Sequence, residues 1–139
     1  MTTTEFALRL SVALLAGLLI GLERQWNHKS AGLRTNTLVA MGAALFVLLS
    51  ISITQVSGDV TRIISQVVTG IGFLGAGIIF KEGTSVHGLT TAATVWCSAA
   101  VGSLAAAGYF VETLIGTACI ILVNAVLVPV DKWLKKRNG

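Results

Sequence analysis

The residues in this chain best suited to chemistry are Glu23 and Arg24, followed a short connection later by Arg34 and Thr35. A carboxylate held between two guanidiniums stays ionised, because each opposite charge favours the charged form. Such a group can clamp two helices together, or it can form one wall of a cation or proton site. A second group is Thr90, Thr91 and Thr94, with Ser98 further along. At helical spacing, Thr91, Thr94 and Ser98 share one face. Their hydroxyls can bond back to carbonyls one turn earlier, join an interhelical network or line a hydrated site.

Other combinations are poorer. His28 and His87 stand alone in separate connections, and Cys97 and Cys119 lack the spacing of a disulfide framework or a metal centre. Gly70-x-Gly72-x-x-Gly75 matches the dinucleotide-binding pattern in letters. That pattern needs a preceding strand and an acid about 20 positions on, and Thr94-Val95-Trp96 stand there instead. No activated nucleophile, carboxylate dyad or metal-ligand spacing is present, so the sequence points away from an enzyme and calls for no cofactor or metal.

The elements that must position these groups are membrane spans. A hydrocarbon core about 30 Å thick needs about 20 residues of helix. Five apolar stretches approach that length: Phe6–Leu22, Thr37–Thr54, Ile63–Phe80, Thr90–Ala107 and Phe110–Val130. Charged residues make up 12% of the 139 residues, against about 25% in ordinary soluble domains, and mean hydropathy is +0.83. The expected fold is an all-α integral membrane protein, a compact bundle of about five helices. Residues 1–130 form the transmembrane domain and 131–139 a basic tail. The first span lacks a basic leading flank and a small-residue cleavage site, so it reads as an anchor.

Eight of the ten basic residues fall on one side of this weave: Arg24, Lys29, Arg34, Lys81, Lys132, Lys135, Lys136 and Arg137. Cationic connections stay cytoplasmic, which places the N-terminus outside and the C-terminus inside. The net charge of +4 is therefore a topology signal and no sign of nucleic-acid binding.

Helices in lipid gain little from burying apolar side chains, so close backbone contact and shared hydrogen bonds must hold them. Ala13, Gly17 and Gly21 make a smooth stripe on the first span, with Arg9 and Glu5 spaced to pair beyond it. Gly70, Gly72, Gly75 and Gly77 suggest a third span crowded by several neighbours and central to the bundle. Thr117 and Asn124 mark the protein-facing side of the fifth. Small paired charges are expected at Asp59 with Arg62, and at Lys81 with Glu82.

Four blocks resemble the MgtC/SapB family in order and spacing. They are Gly17-Leu-Leu-Ile-Gly-Leu-Glu-Arg-Gln25, Ala31-Gly-Leu-Arg-Thr35, Gly70-Ile-Gly-Phe-Leu-Gly-Ala-Gly77 and Gly88-Leu-Thr-Thr-Ala-Ala-Thr-Val-Trp96. The resemblance implies a multi-pass bacterial inner-membrane protein linked to magnesium limitation, acid stress and virulence. It carries over Glu23, Arg24, Arg34 and Thr35 as the charged motif, together with Arg62, Gln66, the glycines of the third span, Thr90, Thr91, Thr94 and Trp96. Founding members have a soluble C-terminal domain beyond the membrane part, whereas this sequence ends at Gly139. The function so implied is non-enzymatic regulation of another membrane complex. The alternative is a transporter or channel for magnesium, another metal ion or protons. The bilayer and a second copy, as a two-fold homodimer, are the expected partners in either case.

Overall fold

The computed structural model describes residues 1–54 and 59–138, the side chains of Lys132, Lys135 and Asn138 excepted; Gly139, the last residue of the expected tail, lies outside the described residues. Five helices dominate: α1 (Thr3–Trp26), α2 (Leu33–Ile53), α3 (Val60–Ile78), α4 (Leu89–Ala107) and α5 (Phe110–Asn138). Each is long and apolar enough to cross a membrane. The expected five-helix membrane fold is thus present.

The helices overrun the apolar windows where good caps allow it. Thr2 Oγ1 accepts from Glu5 N at 3.2 Å and starts α1 before the first expected apolar residue. α1 also carries Glu23 and Arg24 within its last turns, which leaves only Asn27–Gly32 to connect it to α2. Asp59 caps α3, its Oδ1 accepting from Thr61 N at 2.9 Å and from Thr61 Oγ1 at 2.5 Å. Those two bonds hold the Asp59 carboxyl below its ordinary range. α5 continues through Pro129 to Asn138, so the basic segment prolongs the last helix. There Arg137 Cζ lies 5.4 Å from the Trp133 ring centroid, within cation–π reach.

One element was not expected. Phe80, assigned above to the third span, lies beyond α3 in a small antiparallel hairpin of β1 (Phe80–Glu82) and β2 (Ser85–His87). Phe80 stacks on His87, and Glu82 lies 3.9 Å from His87 across the ladder, so Lys81 is not its partner. Gly88 then turns the chain into α4 with φ +86°, where a side chain would run into the Ile78 carbonyl.

α1, α2 and α4 form the closely packed heart of the bundle, and α5 lies against α1 and α4. Their contact surfaces are made of small residues: Ala13, Ala16, Ala40, Ala43, Ala44, Ala99, Ala105 and Ala106 are all buried. Gly17 and Gly21 lie where a Cβ would come within 2.8 Å of Thr37 Cα and 2.6 Å of Leu33 Cα. Gly102 of α4 abuts the Ala40 carbonyl of α2 in the same way. Close backbone approach of this kind gives membrane helices their dispersion energy.

α3 corrects the expectation of a crowded central helix. None of its residues is fully buried. Its half-buried positions, Val60, Ile64, Val67, Ile71, Gly75 and Ile78, form one stripe against α2 and α4. Gly70, Gly72 and Gly77 have open space where a Cβ would stand, and only Gly75 meets a neighbour, Ala92 Cβ at 3.8 Å. An apolar groove of about 650 Å³ separates α3 from α2, and another of about 390 Å³ separates it from α4. The central helix is α4.

Candidate functional site

The polar groups gather around α4 near the end of the bundle that carries the cationic connections. Arg24, in the last turn of α1, is 2% exposed. Its Nη2 donates to Thr91 Oγ1 of α4 at 2.5 Å and to the Ser30 carbonyl of the connection at 3.2 Å. Ser30 Oγ lies 3.2 Å from the same threonine hydroxyl. This guanidinium therefore holds α1, the α1–α2 connection and α4 together through neutral oxygens. His28 and Ala31 take positive φ in that connection, which turns the chain back within six residues.

One layer deeper, Asn36 of α2 is completely buried. Its amide nitrogen donates to the carbonyls of Ala31 at 2.5 Å and Gly32 at 2.9 Å, and its Oδ1 accepts from Ser98 Oγ at 2.8 Å. Thr94 and Asn124 of α5 approach at 3.3–3.4 Å. Thr94 Oγ1 also donates to the Thr90 carbonyl at 2.9 Å, and Ser98 Oγ lies 3.1 Å from that of Thr94. The hydroxyl face of α4 thus combines back-bonding with an interhelical network. Every link satisfies a polar group that would be costly in an apolar interior.

Glu23 is placed differently from expectation. It makes no ion pair within 4 Å with Arg24 or Arg34; Oε1 accepts from Asn27 Nδ2 at 2.7 Å. Oε2 is buried without a hydrogen-bond partner among the described residues, as is Arg24 Nε. Consecutive residues on a helix point about 100° apart, so Arg24 turns into the bundle while Glu23 lies half-buried at its edge. Arg34, Thr35 and Thr90 are exposed and join no cluster with it. Arg62 and Gln66 belong to the other end of α3, away from the network, and Trp96 is half exposed.

Far from this site, Arg9 settles the fate of the first-span cation. Nη2 contacts Glu5 Oε1 at 2.5 Å and Nη1 donates to the Ala106 carbonyl at 2.8 Å. An orphan carbonyl at the end of α4 is satisfied in this way, and the charge suits the negative end of the helix. Thr117 and Asn124 are buried as expected. Sequence reasoning overlooked Ser30 and Asn36. An asparagine directly before the second expected apolar span was the available signal for the second.

Comparison with known proteins gives the family of this chain. The model of the MgtC family matches residues 10–133. An uncharacterized protein of Synechocystis is 51% identical over 134 residues, which is 96% of this chain and 57% of that protein. Protein MgtC of Brucella abortus (strain 2308) is 60% identical over 128 residues, 91% of this chain and 52% of the relative. Protein MgtC of Salmonella typhimurium (strain LT2) is 52% identical over 122 residues, 88% of this chain and 52% of the relative. The chain spans about half the length of these relatives. No solved structure matches. This chain, a bundle of five membrane-length helices among the described residues and matched along nearly its whole length, belongs to the MgtC family.

Proposed function

We propose that this chain is a non-enzymatic regulatory protein of the bacterial inner membrane that acts by docking on another membrane complex. Magnesium limitation, acid stress and survival in a host are the circumstances that the family implies for it. The observation supporting this reading is the Arg24 lock. A guanidinium 2% exposed, held by Thr91 and the Ser30 carbonyl, closes the cationic end of a bundle whose helices already touch backbone to backbone. Breaking the lock to admit a hydrated ion would strand a buried charge, at a cost of several kcal/mol.

One observation favours the alternative of a cation or proton path. Glu23 Oε2 is buried with no partner among the described residues, and a carboxylate oxygen in that state suits a cation or a proton. Ion flux through the purified protein in liposomes, tested with magnesium, sodium, potassium and protons, separates the two readings. The expected result is no flux above empty liposomes. Flux that Glu23→Gln abolishes in a folded protein would overturn the regulatory reading.

A further inference from the structure

The outward face of α3 has the wrong chemistry for lipid. The half-buried stripe facing the bundle is apolar apart from Gly75, whereas Arg62, Ser65, Thr69, Phe73 and Ala76 form an exposed stripe on the opposite side, with Gln66 exposed at its edge, at the mouth of the groove against α2. At 1.5 Å per residue, Gln66 lies about 9 Å and Thr69 about 13 Å into the helix from Val60, well within the hydrocarbon layer. Thr69 Oγ1 is satisfied by the Ser65 carbonyl at 3.0 Å. A glutamine carboxamide at that depth has two donors and an acceptor to satisfy, and lipid offers nothing for them. Phe73, in the middle of the stripe, is 84% exposed. A membrane helix that turns its apolar face inward and its polar face outward is arranged for a protein neighbour on the outside.

We propose that this neighbour is a second copy of the chain, with the two α3 helices meeting across a two-fold axis along the membrane normal. Three features select a second copy. A carboxamide both donates and accepts, so Gln66 is complementary to itself when a two-fold axis brings two copies together. Gly72, flanked by Gly70 and Gly77, has open space beside it, and with the exposed Ala76 it allows two backbones to approach closely. Asp59 and Arg62 lie one turn apart, both exposed, at the same end of α3. A parallel two-fold pair sets each carboxylate beside the opposite guanidinium. The seam stands whether the protein regulates another complex or conducts ions.

Disulfide trapping in native membranes tests this, in a background with Cys97→Ala and Cys119→Ala. Single cysteines at Thr69, Phe73 or Ala76 should give a dimer band on mild oxidation, while Val67→Cys and Ile71→Cys, on the bundle-facing stripe, should not. The chain with α3 unaltered should have the mass of two copies in lipid nanodiscs, and Gln66→Leu should weaken self-association about threefold to tenfold. No band at any outward position, equal bands from both faces or a single-copy mass would overturn the seam. So would ready labelling of Thr69→Cys and Ala76→Cys by a water-soluble thiol reagent, since that face would then line water, or their crosslinking to a different protein.

Discussion

At the scale of single residues, adjacent positions in one helix carry different tasks. Arg24 points inward and ties three segments together, while Glu23 stays at the edge with one oxygen on Asn27. The threonine pair beside them divides in the same way, Thr91 buried on Arg24 and Thr90 exposed. Removing an acceptor from a buried guanidinium costs about 1.5–3 kcal/mol, because a charged group loses its bond without regaining water. Thr91→Val should therefore lower the thermal midpoint of the protein in detergent clearly, and Thr91→Ser should restore most of the loss. Thr90→Val, on the exposed side, should stay within about 0.5 kcal/mol of the unaltered protein. Equal losses at Thr90 and Thr91 would refute the assignment.

At the scale of elements, the packing depends on where a missing Cβ matters. Gly102 abuts the Ala40 carbonyl, so any side chain there must push α2 and α4 apart. Overpacking of this kind costs about 1–3 kcal/mol even where side chains can yield, and a backbone carbonyl yields less. Gly42, half-exposed on α2 beside the larger groove, has nothing within 4 Å. Gly102→Ala should destabilise the bundle strongly, whereas Gly42→Ala should be neutral or gain up to about 1 kcal/mol from helix propensity. Thermal unfolding followed by circular dichroism distinguishes the pair. Glycine content alone thus does not set a helix's role. α3 has four glycines yet no fully buried residue, while α4 has a single interior glycine and lies at the centre.

For the whole molecule, the asymmetry of charge predicts the orientation. Eight of ten basic residues lie at one end of the weave, and each Lys or Arg resists translocation. A fluorescent protein fused after Gly139 should fold and emit, and alkaline phosphatase at the same point should stay inactive. The opposite pair of results would invert the topology. This much was legible in the sequence because span length, hydropathy and charge placement are properties of local segments in contact with lipid and water. The blocks around Glu23, Arg34, Gly70 and Thr90 were equally legible, and they agree with the family match. The side chain that meets Thr91 was not. Glu23 and Arg24 are neighbours in sequence, and only the rotation of α1 against α4 decides that the arginine is buried. The position of α3 was undecidable for the same reason. Small residues permit close approach from any neighbour, and whether that neighbour belongs to the same chain depends on how all five helices share a limited apolar surface. Local composition therefore determined the membrane bundle and its charged end. Tertiary packing alone decided which helix is central, which polar groups meet and which face of α3 turns outward.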